Sequence, residues 1–134
     1  IGSHEAYGAI QAEAAKKQSP EEEEASVRAL GNFDRPGRQA WLKRALASKN
    51  DRTKAAACVA MAKSGDKSEL AVCAGLLNNP DAGVRSAAAR AVGIMGDPSA
   101  AQAVEEALKK EKDAEAAQVM KFASERLRSG VKAK

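Results

Sequence analysis

The chain has 134 residues, 44% hydrophobic but only 3% aromatic, which makes one domain able to bury a core built of Ala, Val, Leu and Met. A single histidine, His4, and two cysteines remove most hydrolase triads, histidine-bridged metal sites and Cys–His dyads, and no apolar run approaches the roughly 20 residues of a membrane-spanning helix. The formal charge of +4 is uneven, with three basic and seven acidic side chains in residues 1–34 and nineteen and eleven in the remainder; this permits an anionic partner for the body of the chain, and solvated outer helix faces give the same balance.

The chain starts at Ile1 without Met, and Gly2-Ser3-His4 reads as the remnant of an expression tag. The compartment, cytoplasmic or periplasmic, therefore stays open. Residues 5–18 are predicted as a helix with Ala6, Ile10 and Ala14 on one face, capping the exposed end of the helical stack. Ser19-Pro20-Glu21-Glu22 is a capping box with proline at the first helical position. The acidic run 21–24 sits on the positive end of that helix dipole. Four sequential carboxylates point in different directions, so they do not converge on one ion. Val27, Leu30 and Phe33 finish this helix, and residues 34–37 turn the chain.

Trp41, Leu42, Ala45 and Leu46 mark the next helix, with Trp41 as a packing residue. Asn50 caps a helix ending at Lys63. Asp66 and Glu69 read as a capping box for a helix reaching Asn78. Asn79 as cap and Pro80 as first helical residue open the clearest unit. In it Val84, Ala87, Ala88, Ala91, Val92 and Met95 recur at the spacing of one helical face. Gly93 and Gly96 read as helix-end residues. Asp97-Pro98 restarts the signal for a helix with Ala101, Val104 and Leu108 inward. A last helix, 113–129, turns Ala116, Val119, Met120, Ala123 and Leu127 inward. Gly130 ends it, and 131–134 is a basic tail. No alternating Val/Ile/Thr run occurs, so strands are not predicted. The fold class is all-α.

The chain repeats itself. Shifted back by 31 positions, Gly96-Asp97 falls on Gly65-Asp66, Ala87-Ala88 on Ala56-Ala57, Arg85 on Lys54 and Leu108 on Leu77. Shifted back by 62, Val104 falls on Leu42 and Leu108 on Leu46; shifted forward by 32, Asp81 falls on Asp113 and Met95 on Leu127. One helical hairpin cannot bury its apolar face alone, so the units stack and share a continuous core. The single domain 1–134 divides into a capping helix within 1–18, repeats over 19–50, 51–80, 81–112 and 113–130, and the tail 131–134.

The block around Asp81, Val84, Arg85, Ala87, Ala88, Ala91, Val92, Gly93, Gly96, Asp97 and Pro98 resembles the HEAT-like repeats common in bacterial proteins. The likeness is strongest over 81–110, fair over 51–80, where Thr53-Lys54 replaces Val-Arg, and weak elsewhere. It implies a right-handed α-α superhelix of about three and a half helical hairpins plus the N-terminal capping helix. Relatives of this kind act mostly as interaction scaffolds; some are bilin lyases, DNA glycosylases or iron hydroxylases. The resemblance also implies that Asp81 and Arg85 link neighbouring units as a ladder, with Asp51 and Lys54 or Arg52 as a degraded version.

Cys58 and Cys73 each lie about seven residues from the Gly65-Asp66 turn, on opposite sides, where an antiparallel hairpin brings them face to face. The equivalent pair one unit later is Ala89 and Val104. Two buried small hydrophobes and a disulfide both fit; a catalytic thiol lacks a histidine partner.

In such solenoids the second helices line the concave, binding surface. The 31-residue register then gives candidate interaction residues: Lys43 and Arg44 in the first unit, Asn78 in the second, and Gln102, Glu105, Glu106 and Lys109 in the third. The expected function is a non-catalytic protein–protein interaction scaffold or adaptor that binds a partner segment along that face, with no cofactor, metal or small-molecule substrate. The alternatives are a nucleic-acid-binding module, against which the acidic third unit and the scarcity of aromatics count, or a non-catalytic subunit of a lyase-type complex.

Overall fold

The computed structural model describes residues 19–31 and 38–132. The helix expected over 5–18, His4 and the turn at 34–37 lie outside them. The described residues form helices and connecting turns with no strand: α1 (Pro20–Gly31), α2 (Arg38–Leu46), α3 (Asp51–Lys63), α4 (Leu70–Gly75), α5 (Ala82–Met95), α6 (Ala101–Lys110) and α7 (Ala114–Lys132). Single 3-10 turns, Leu76–Asn78 and Pro98–Ala100, follow α4 and precede α6.

The start signals are read by the chain in three places as written. Ser19 and Glu22 exchange backbone-to-side-chain hydrogen bonds at the head of α1. The Asn50 side-chain oxygen accepts from the Arg52 amide. Asp97 accepts from the Ser99 amide ahead of Pro98. Gly96 closes α5 in the left-handed conformation, φ +69°, which a residue without Cβ adopts freely.

Five local expectations are corrected. The cap of α5 is Asp81, whose carboxylate takes the Gly83 amide. Asn79 lies two residues before that cap: its oxygen accepts the Asp81 N–H, and its amide donates to Asp51 (2.8 Å). Asp66 and Glu69 form no capping box: Asp66 turns onto the Ser68 amide, and Glu69 caps α4 without a side-chain bond. The helix expected to reach Asn78 tightens into a 3-10 turn after Gly75. Gly93 is not a helix end but lies buried inside α5, and α7 runs on through Gly130 to Lys132.

The helices form two layers. α1, α3, α5 and α7 pack side by side in one. In the second, α2 lies on α3, the α4 segment on α5, and α6 on α7, each pressed more against the following unit than its own. The shared interior holds Val27, Leu42, Met61, Leu77, Val84, Val92, Val104, Met120 and Leu127, filled in by alanines such as Ala57, Ala88, Ala89 and Ala91. Trp41 and Leu108 pack partly buried against it. Small side chains let the rods approach closely. At Gly93 an added Cβ would stand 3.0 Å from the Ala123 Cβ and 3.2 Å from its Cα.

Polar clamps tie successive units along one edge. Arg85 forks onto Glu111 through Nε and Nη2 (2.7 and 2.8 Å), and its Nη1 donates to the carbonyls of Asn79 and Pro80. One unit earlier, Arg52 Nε donates to Asp81 at 3.0 Å. Arg52–Asp81 thus links the second and third units in the manner of the expected ladder, whereas Arg85 pairs with Glu111 of its own unit and reaches the preceding unit only through the carbonyls of Asn79 and Pro80. The Arg52–Asp81 side chains are 57% and 38% exposed, so water screens most of that attraction. The Glu111 side chain is 1% exposed, and its clamp matters more. The Arg85 hydrogen bond holds the Glu111 carboxyl below its ordinary 4.5.

Cys58 and Cys73, both fully buried, form a disulfide with Cα atoms 5.8 Å apart. It joins α4 to α3, where direct packing between the two is thin. The corresponding pair, Ala89 and Val104, is also fully buried.

Two measurements check these assignments. The double variant C58A/C73V copies the next unit's packing without the cross-link, so it should fold yet lose about 3 kcal/mol in a denaturant titration, as expected for a 15-residue closed loop. Because the folded-state value of Glu111 is depressed, its contribution is complete above the ordinary carboxylate range and is lost as pH falls through the folded value. Glu111→Ala should cost about 2 kcal/mol at neutral pH and flatten the decline in stability on acidification below about pH 5; an unchanged slope would show that the clamp carries no weight.

Candidate interaction surface

Each first-layer helix sends one stripe inward and leaves a second stripe on the outer face of that layer. On α3 the outer stripe is Ala56, Val59, Ala60 and Lys63. On α5 it includes Ser86, Ala87, Arg90 and Ile94, and on α7 Glu115, Gln118, Val119, Phe122 and Arg126. Consecutive stripes enclose grooves. One, about 630 Å³, runs between α1, α3, α5 and the head of α7. A second, about 490 Å³, lies between α5 and α7. A third, about 100 Å³, lies between α1, α3 and α5. Arg28, Ala56, Gly83 and Ala87 line both the first and third, while Arg90 and Glu115 line both the first and second. The three form one trough across the outer face of the first layer.

The trough has a small apolar floor and a charged rim. Its cations are Arg28, Arg52, Lys63, Arg90 and Arg126; its acids are Glu24, Asp113 and Glu115. Arg28 is taken by Glu24 at 2.8 Å and Arg52 by Asp81. Asp113 accepts the Ala116 amide as the cap of α7. Lys63 and Arg90 form no ion pair among the described residues. Arg126 Nε donates to the Gly93 carbonyl at 2.8 Å. That carbonyl is among the last four of α5, where intrahelical donors run out, so Arg126 helps to complete the helix end.

The residues singled out from the register lie on the other layer. Lys43 and Arg44 are exposed on α2, Asn78 in the 3-10 turn, and Gln102, Glu106 and Lys109 on α6. Gln102 donates to Glu106 at 3.1 Å. Glu105 is turned onto α7, where it pairs with Arg128 and accepts from the Ser124 hydroxyl. None of the seven lines any of the three grooves. The register points to the second helices, so sequence reasoning missed the trough residues. The available signal was Glu115, Val119, Phe122 and Arg126, a helical stripe offset from the inward one at Ala116, Met120, Ala123 and Leu127.

No group of His, Cys, Asp and Glu among the described residues is arranged to hold a metal ion. No described helix is long and apolar enough to cross a membrane.

Among solved structures the chain is similar to epoxyqueuosine reductase bound to an epoxyqueuosine-modified tRNA-Tyr stem loop, with 29% identity and a TM-score of 0.54 over 76% of this chain and 28% of that one. It is similar also to selenomethionine-labelled epoxyqueuosine reductase, with 28% identity and a TM-score of 0.52 over 75% of this chain and 28% of that one. The chain thus spans little more than a quarter of those reductases. No curated protein matches it. A family model for HEAT repeats matches residues 39–122, and with two layers of stacked short helices this makes the chain a member of the HEAT repeat family.

Proposed function

We propose that this helical repeat scaffold is non-catalytic and holds a segment of a partner protein in the trough across its first layer. The observation that carries the reading is the trough itself, a continuous recess with an apolar floor of Ala, Gly and Val and a rim where Lys63 and Arg90 have no ion-pair partner among the described residues. A floor without bulky side chains admits a peptide backbone closely, and the unpaired cations give it orientation. The column of Lys43, Arg44, Asn78, Gln102, Glu106 and Lys109 offers a second, flatter face for the same kind of partner.

A second reading is nucleic-acid binding. It is favoured by the likeness to a reductase crystallised with a tRNA stem loop and by the basic rim. Against it stand Glu24, Asp113 and Glu115 in the same trough, which repel phosphates, and the scarcity of rings for base stacking.

The test is a pair of charge reversals in binding to a purified partner obtained by affinity capture. K63E/R90E should weaken binding at least about tenfold, while K43E/R44E leaves it within about twofold. The opposite pattern would move the interface to the second layer. Binding of a tRNA stem loop that weakens steeply with salt, with no protein partner, would replace the reading with the nucleic-acid one.

A further inference from the structure

We propose that the groove between α5 and α7 is the docking site for an acidic amphipathic helix of a partner protein, anchored by an apolar side chain seated against Phe122. The inference rests on the scaffold reading and names the chemistry of the segment held.

The floor of this groove is Gly93 and Ala123, packed so closely that a methyl group on Gly93 would force Ala123 to give way by a few tenths of an ångström. Two rods that approach this far leave a shallow valley above their seam. Ile94, Val119 and Phe122 wall it. Phe122 is 71% exposed, against 40% for Val72, the other exposed large hydrophobe among the described residues. The inward stripe of α7 is complete without it, so folding does not use this ring. An aromatic group on a groove wall is the kind of residue that dominates binding energy at interfaces.

The rim sets the sign of the partner's charge. Arg90 stands without an ion pair among the described residues, and Arg126 is fixed at its Nε by the Gly93 carbonyl, so its terminal amino groups are held in place to donate. Facing them is one acid, Glu115. An immobilised guanidinium loses little freedom when it takes a carboxylate, and its fork matches that group's geometry. Groove-lining residues on α7 run from Glu115 to Arg126, roughly 17 Å at 1.5 Å per residue. That is the length of about three helical turns, enough for apolar anchors at i, i+3 or i+4, and i+7.

The probe is a fluorescein-labelled helical peptide of about 18 residues, with leucines on one stripe and glutamates flanking it, measured by fluorescence anisotropy against the whole chain. Saturable binding is expected. Phe122→Ala and Arg90→Glu should each weaken it at least about tenfold, with unchanged circular dichroism, and the same peptide with lysine in place of glutamate should bind at least about tenfold more weakly. Absence of binding, equal binding of the lysine peptide, or indifference to both substitutions would overturn the proposal. So would a tRNA stem loop that displaces the peptide, or self-association abolished by Phe122→Ala, which would give the groove to another occupant. If Phe122→Ala leaves binding intact while K63E/R90E still releases the purified partner, this groove assignment fails and the scaffold reading stands.

Discussion

The stack depends on small side chains at the seams between successive first-layer helices. A unit of some thirty residues has too little surface to enclose its own apolar face, so its stability comes from the neighbour on each side. Alanine permits this in two ways. It is the best helix former, and it lets one rod settle close against the next. Gly93 against Ala123 is the limit of that tendency. The large residues, Leu42, Met61, Leu77, Met120 and Leu127, fill the shared interior.

Directionality comes from the polar edge. Dispersion between alanine faces is nearly indifferent to a sliding or rotation of one unit on the next. The Arg85 fork is not, because its guanidinium must meet Glu111 on one side and two backbone carbonyls on the other. Arg126 on the Gly93 carbonyl acts likewise. Each commits a side-chain donor to a neighbouring unit, so the edge fixes the register that the apolar seam leaves loose.

The all-α repeat architecture was legible in the sequence because its signals are local. Helical periodicity and the caps at Ser19, Asn50 and Asp97 act within a few residues, and the 31-residue register exposes the stacking. Sequence reasoning failed where a side chain's choice depends on a distant partner. Asn79 looks like a cap, yet its oxygen takes the Asp81 N–H and the helix starts only after Asp81. Arg85 looks like the next rung after Arg52 until its partner, Glu111, arrives from 26 residues away within the same unit. Gly93 looks like a terminus because only the packed α7 reveals the need for a missing Cβ. The trough was hidden for the same reason: stripes on α3, α5 and α7 become one recess only when the helices lie side by side. Phe122 and Arg90 are each unremarkable on their own helix.

The bond between Cys58 and Cys73 also gives the array a mechanical asymmetry. Linear repeat arrays open from their ends, one unit at a time, because each is held only by its neighbours. A chain pulled at both termini would release most of its length in this way. The 15-residue span between the two sulfurs would stay out of the tether, withholding roughly 50 Å of extension. Half of the second unit, residues 58–73, would thus remain a short covalent ring after its neighbours had been drawn out.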